Sequence, residues 1–237
     1  MTLLVIALSI VGTIANICIY HVAPHPQHKL AKLMQRFDLG HEPSIPALYS
    51  ALALFGCALL LWLIGTMNRR SGRGDVFNWF LLAGIFLMLG LDEAVMFHEM
   101  LHNTMRAWVS SGGIFFFPWV IPGIIFVTIV AVANLRFLSR LESRTRWLFI
   151  AAGAVFVGGA VGMELLAGVV VERHGVESLY HTFVQTIEET LEMLGVVIFT
   201  YSLLDYFRRH HGTVRISAKQ AETRADSPQF STRPGRP

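Results

Sequence analysis

Long apolar stretches alternate with short polar stretches along most of the chain. Six of them approach or exceed the roughly 20 apolar residues that a membrane-spanning helix needs. The first lacks the charged start and small-residue exit of a cleaved signal peptide, so we expect it to be retained. The pattern therefore predicts an all-α, polytopic membrane domain over residues 1–211 with six transmembrane helices. The predicted spans are residues 3–20, 45–67, 76–102, 114–135, 147–171 and 183–206.

Two stretches do not fit the spanning pattern. Between the first two spans, four apolar residues follow the i, i+3, i+4, i+7 spacing of one helical face, with basic residues between them. This spacing predicts a short amphipathic helix on the membrane surface over residues 26–39. Residues 212–237 have little apolar content, and we expect a disordered cytoplasmic tail there.

Composition supports the membrane assignment and excludes an ordinary soluble domain. Hydrophobic residues make up 54% of the 237 residues and charged residues only 15%. The basic residues are concentrated after the second, fourth and sixth spans, which predicts that both termini are cytoplasmic. We expect a multi-pass protein of the cell's inner membrane in contact with lipids. The modest net charge of +3 gives no indication of nucleic-acid binding.

The stretch from Asp92 to His102 concentrates ionisable residues at the end of the third predicted span. It contains His98-Glu99-Met100-Leu101-His102, which has the His-Glu-x-x-His spacing of zinc peptidases. On a helix this spacing presents two imidazoles one turn apart, with a glutamate able to activate a metal-bound water. Ionisable groups within a membrane span are costly and usually functional.

Three predicted helices bring carboxylates to a similar depth. At 1.5 Å per residue, Asp92 lies about 24 Å and Glu164 about 25 Å above the cytoplasmic ends of their spans. Glu188 and Glu192 lie about 7 to 14 Å below the outer surface on the sixth span. On that helix they share a stripe with His181 and Gln185, whereas Glu189 points to one side. The sequence therefore predicts one acidic site in the outer leaflet.

The charge of this site needs compensation. No lysine or arginine lies within any predicted span, so protons, histidinium or bound cations must balance the carboxylates. Mixed carboxylate and imidazole ligands suit zinc, iron or manganese, and we expect one or two such ions. The expected metal ligands are His98, His102, Glu164, His181, Glu188 and Glu192. Glu99 is the expected general base, and Asp92 a ligand or an orienting residue.

The His98–His102 motif resembles the zinc site of intramembrane site-two proteases. It also resembles the metal-binding helix of zinc and iron permeases, although that helix carries a proline within the motif. Glu99-x-x-His102 resembles one half of a ferritin-like di-iron signature, and a second Glu-x-x-His is missing.

The chain as a whole resembles a family of uncharacterised bacterial multi-pass membrane proteins. The residues that carry the resemblance lie in Leu91-Asp92-Glu93 with His98-Glu99, in Gly158 to Glu164, and in Glu188 to Met193. This resemblance implies the six-helix architecture and no established activity.

Three functions are compatible with these observations. The first is a metal-dependent membrane enzyme of the hydrolase type, acting on a lipid-soluble or membrane-anchored substrate. The second is a transporter or metal-handling protein for divalent cations or protons. The third is a structural subunit whose polar cluster is a protonated hydrogen-bond network. Metal content and the effects of single carboxylate substitutions distinguish them.

Smaller features carry expectations as well. Gly158 and Gly162 form a small-xxx-small pair that permits close helix approach. The tryptophans near span ends, among them Trp79 and Trp119, are typical of interfacial anchors. Asp205 lies at the inner membrane boundary, where we expect it to be solvated.

Overall fold

The computed structural model describes residues 1–21, 34–39, 44–106 and 112–212, which are helical with short connections and contain no strand. A 3₁₀ turn at Gly113–Phe115 precedes the fourth long helix, and a π-helical turn at Gly158–Met163 joins two helices into one segment. The helices are α1 Thr2–His21, α2 Ile45–Arg70, α3 Val76–Val95, α4 Phe97–Arg106, α5 Val120–Arg140, α6 Ser143–Val157, α7 Glu164–His174 and α8 Leu179–His211.

Six segments are long and apolar enough to cross a membrane: α1, α2, α3, α5, the continuous segment from α6 to α7, and α8. The all-α, six-helix prediction is confirmed, and the chain is a multi-pass membrane protein. The long helix α8 packs against α1, α2, α6 and α7, whereas α2 and α3 form an antiparallel pair. Side chains from α8 therefore contribute to most of the protein's interior.

The third and fourth spans differ from the predicted continuous helices. Met96 adopts a left-handed backbone conformation (φ 61°, ψ 44°), which ends α3 and allows α4 to start in a new direction. The fourth long helix begins at Val120 rather than at residue 114. Pro118 explains this later start, because a proline lacks the amide hydrogen and is accepted best before or within a first helical turn.

Trp79 lies in the packed core of the bundle. Only 1% of its surface is exposed, and its ring packs against Phe137, Phe149 and Tyr206 at centroid distances of 5.2, 6.1 and 4.7 Å. The prediction that Trp79 anchors the membrane interface was therefore wrong. The residue lies at a helix end, as an anchor does, but on the face that α8 covers.

The close contact between the sixth and fifth spans uses glycines other than the predicted pair. A methyl group at Gly159 would lie 2.9 Å from the carbonyl oxygen of Glu188, and one at Gly195 would lie 2.7 Å from Cβ of Phe156. Methyl groups at Gly158 and Gly162 would meet no atom within 4 Å in the described part of the chain. The predicted pairing was wrong because the π-helical turn shifts which residues face α8.

Asp205 is buried, contrary to the expectation of a solvated residue. Its side chain is 4% exposed and lies 2.8 Å from Nη2 of Arg209 and 3.2 Å from Nε of Arg144. These two arginines replace the water that the carboxylate loses on burial.

Several predictions fall partly or wholly outside the described residues: the amphipathic helix at 26–39, of which residues 26–33 are not described, Trp108, and the tail beyond residue 212. The described end of the first of these segments contacts the bundle. Leu39 is 1% exposed and packs with Met193 of α8.

Candidate functional site

A cavity of about 310 Å³ lies where α4, α7 and the first turns of α8 meet. Of the eight predicted site residues, six contribute to its lining although they come from three different helices. They are His98, Glu99, His102, Glu164, His181 and Glu188. The structure therefore brings together side chains that are up to 90 positions apart in the chain.

Asp92 lies behind His98 and fixes the orientation of its ring. One carboxylate oxygen of Asp92 accepts a hydrogen bond from the backbone amide of His98 at 2.9 Å, and the other bonds to Nδ1 of the same residue at 3.0 Å. The break at Met96 makes both bonds possible, because it turns the start of α4 back toward the end of α3. An ionised carboxylate only accepts hydrogen bonds, so beside an ionised Asp92 a neutral His98 carries its proton on Nδ1 and its ring lone pair on Nε2.

Glu164 is the first residue of α7, directly after the π-helical turn. Its Oε1 accepts a hydrogen bond from Nε1 of Trp119 at 2.8 Å, and its charge interacts with His98 and Glu99 across the cavity. The ring of Trp119 also lies 5.4 Å from the ring of His98. Trp119 is thus a site residue that we had assigned to the interface. Its position near a span end gives no signal that distinguishes the two roles.

Glu188 of α8 completes an unusual pair of carboxyl groups. Its carboxyl group interacts electrostatically with that of Glu164, and its Oε2 is buried with no hydrogen-bond partner among the residues that the structure describes. Two carboxyl groups in such contact need a shared proton, or a cation in its place, because two adjacent negative charges repel strongly. This pair is the most direct sign that the cavity is built for a positively charged or proton-donating occupant.

The set of α8 residues that faces the cavity is rotated slightly around the helix axis relative to the predicted set. Glu189 lines the cavity, although the helical projection had placed it to one side. Glu192, a predicted ligand, is not among the described lining residues, and its Cγ lies close to Gly159. The helical projection assumed which side of α8 faces the cavity. That side depends on how α8 packs against the glycines of the π-helical turn.

His102 and His181 both lie near the ring of Phe117. Their ring centroids are 5.2 and 6.2 Å from the centroid of that phenyl ring. His181 is held by a bond from its Nδ1 to the carbonyl oxygen of Val176 at 2.9 Å, whereas Nδ1 of His102 is buried with no hydrogen-bond partner in the described part of the chain. Burial, reinforced by the charge of Arg106, lowers the pKa of His102, which favours the neutral imidazole that a metal requires.

These side chains share a cavity without forming a closed coordination shell. Among the residues that the structure describes, no three His, Cys, Asp or Glu side chains lie close enough together to hold a metal ion. No lysine or arginine lines the described part of the cavity either. The nearby guanidinium of Arg106 lies over the ring of Phe116, 5.0 Å from its centroid.

Fold and cavity together define a six-helix membrane protein with an acidic, histidine-lined site near one end of the bundle. The chain belongs to the family described as a domain of unknown function, DUF8692, whose model matches residues 1–206. This match confirms the expectation of a family without an established activity, and it covers every described helix up to the last turns of α8. Searches of curated proteins and of solved structures found no match.

Proposed function

We propose that this protein is a metal-dependent membrane hydrolase with its active site in the cavity. The observation that carries the proposal is that His98, Glu99 and His102 face the same cavity as Glu164. Two histidines one turn apart and a carboxylate from another helix are the ligand set of many catalytic zinc sites, with a fourth position open to water.

Each residue has a distinct role in this proposal. His98 and His102 would hold the metal through nitrogens that carry a lone pair, with Glu164 as the third ligand, and their side chains would have to move closer together than in the structure to do so. His181 and Glu188 serve as further ligands or as hydrogen-bond partners of the bound water. Glu99 would act as the general base toward that water, since a bound metal would lower the pKa of the water toward neutrality. Zinc, iron and manganese all accept such ligands.

The packing on the other side of the cavity favours an enzyme over a transporter. Toward the opposite end of the bundle, the interior is filled by large apolar side chains, among them Leu61, Ile64, Phe199 and Leu203. A cation leaving the cavity in that direction would have to cross this apolar core at a high desolvation cost. An enzyme needs access to the cavity from one side only.

The arginine distribution supports an orientation with both termini in the cytoplasm. The cavity then lies near the outer face of the cell's inner membrane. A site at this depth suits a lipid-soluble or membrane-anchored substrate.

The test combines metal content with activity. Protein purified in detergent is expected to contain about one equivalent of zinc, iron or manganese by mass spectrometry, and His98→Ala and His102→Ala are expected to lose it. Glu99→Gln is expected to keep the metal and to lose hydrolysis of a fluorogenic long-chain acyl ester. His174→Ala is the matched control, because His174 is exposed on the loop side of α7, away from the cavity.

Two results would contradict the proposal. One is a wild-type protein that hydrolyses the ester equally well after its metal has been removed by chelation. The other is unchanged metal content in both His98→Ala and His102→Ala.

A further inference from the structure

Helix α4 has two opposite faces. Its cavity face carries His98, Glu99, His102 and Asn103. At about 100° per residue, the side chains of Phe97, Met100 and Leu101 lie on the other side of the helix. These three are 53%, 59% and 41% exposed, and none of the residues of α4 is buried. One helix therefore separates a polar cavity from an uncovered apolar surface.

This apolar surface continues one that already faces lipid. On α3, a transmembrane helix that leads directly into α4, a stripe within about 100° of arc is exposed in the same way. The stripe consists of Leu87, Met88, Leu91 and Val95, each between 44% and 49% exposed. Because α3 crosses the membrane, its exposed apolar stripe contacts acyl chains. The apolar face of α4 follows this stripe directly along the chain, and it belongs to a helix whose opposite face lines the cavity.

We propose that α4 lies in the outer part of the membrane as the wall between lipid and cavity, and that an acylglycerol reaches the cavity sideways past this helix. The acyl chains remain along Phe97, Met100 and Leu101, and the glycerol head group enters the cavity. This inference names the substrate class for the proposed hydrolase and rests on that function only for turnover, not for binding.

The size of the cavity fits a head group and not a whole lipid. At about 30 Å³ per water molecule, 310 Å³ corresponds to roughly ten waters. A glycerol ester group fits in that space, whereas two acyl chains do not. The chains must therefore lie outside, and the apolar face of α4 offers them an exposed surface on a helix that lines the cavity.

The charge of the cavity selects against phosphate. Four carboxyl groups line it, namely Glu99, Glu164, Glu188 and Glu189, with no basic side chain among the described lining residues. One shared proton and one divalent cation would supply three positive charges, fewer than the four negative charges of these carboxyl groups when ionised. The hydroxyl groups of an acylglycerol, in contrast, are hydrogen-bond donors, and Glu188, which lines the cavity, has an Oε2 acceptor without a partner among the described residues. We therefore expect an uncharged head group to bind better than an anionic one.

The position of α4 is tested by spin labels in nanodiscs, in a protein with Cys18→Ala and Cys57→Ser. A label at Met100→Cys is expected to be more accessible to oxygen than to an aqueous nickel chelate, and a label at Asn103→Cys is expected to show the reverse. Equal access of the nickel chelate to both positions would overturn the placement of α4 in the membrane.

The lipid class is tested by photo-crosslinking with a diacylglycerol that carries a diazirine on one acyl chain. Glu99→Gln protein is used so that the lipid is not consumed. We expect labelling within residues 97–106, at least a threefold loss of labelling in Met100→Ser, and no loss in the control Ile129→Ser, which is exposed on α5. Unlabelled diacylglycerol is expected to compete at least tenfold better than phosphatidic acid with the same chains.

The outcomes separate this inference from the proposed function. Equal competition by phosphatidic acid, or labelling that is the same in Met100→Ser and Ile129→Ser, would overturn the acylglycerol assignment even if hydrolysis of other esters is observed. Specific labelling in a protein that contains no metal would support the binding inference and contradict the hydrolase.

Discussion

Asp92→Asn is the substitution that tests the geometry of the site most directly. In the native structure both oxygens of Asp92 accept hydrogen bonds from His98, one from the backbone amide and one from Nδ1. An asparagine keeps one acceptor and replaces the other with an amide donor. If that donor faces Nδ1, the imidazole must become an acceptor there, and its proton moves to Nε2. A protonated Nε2 cannot bind a metal.

The expected effect is a weaker metal site in a folded protein. Loss of a carboxylate that orients a metal-binding histidine typically costs 10- to 100-fold in metal affinity, which is about 1.4 to 2.8 kcal/mol. We expect the zinc dissociation constant to rise by this factor in Asp92→Asn and by less in Asp92→Glu, which keeps the carboxylate. The measurement is a competition titration of chelator-treated protein in detergent against a fluorescent zinc chelator. Glu177→Gln, at an exposed loop position, is the control.

A double-mutant cycle shows whether Asp92 acts through His98. If it does, Asp92→Asn adds no further loss of zinc affinity in a His98→Ala background. Additive losses would mean that Asp92 is itself a ligand, the alternative that the sequence left open. Unchanged zinc affinity in both single variants would refute the assignment of His98 as a ligand, provided that circular dichroism shows both proteins to be folded.

Two further predictions concern stability, measured as thermal unfolding in detergent. Gly159→Ala places a methyl group 2.9 Å from a backbone carbonyl of α8 and is expected to cost about 1 to 3 kcal/mol. Gly158→Ala, whose methyl group would meet no atom within 4 Å in the described part of the chain, is expected to be neutral. Equal effects of the two substitutions would contradict the close packing of α8 against Gly159. Asp205→Asn removes a buried charge paired with Arg144, Arg209 and, at 3.9 Å, Arg208, and it is expected to cost about 1 to 3 kcal/mol. Glu142→Gln, at a half-exposed carboxylate, is expected to cost less than about 1 kcal/mol.

The six-helix fold follows from the sequence because apolar length alone predicts a membrane-spanning helix. The convergence of the polar residues was predicted as well, since depth along a helix follows from counting residues at a fixed rise. Glu164 and Glu188 lie on different spans, yet both line the cavity, as expected for two residues predicted at a similar depth in the membrane.

Direction around the helix axis was predicted less well than depth. Glu189 lines the cavity in place of Glu192, and Trp79 faces the core in place of the membrane surface. A polar or amphipathic residue does not itself specify which neighbouring helix covers it. That information resides in long-range packing, here the close contact between α8 and the π-helical turn at Gly159.

The helix break at Met96 has a strained backbone conformation, and it also positions His98 for its proposed role as a metal ligand. A left-handed conformation is unfavourable for a methionine and costs of order 1 kcal/mol or more, so the surrounding structure must stabilise it. The two hydrogen bonds from His98 to Asp92 provide that stabilisation, and they exist only because the chain turns at this point. A straight helix through residue 102 would carry the same His-Glu-x-x-His spacing. It would leave the backbone amide of His98 bonded within the helix and out of reach of Asp92. The break, rather than the motif alone, brings the backbone amide and the ring of His98 within reach of Asp92 and lets α4 run in its own direction beside the cavity.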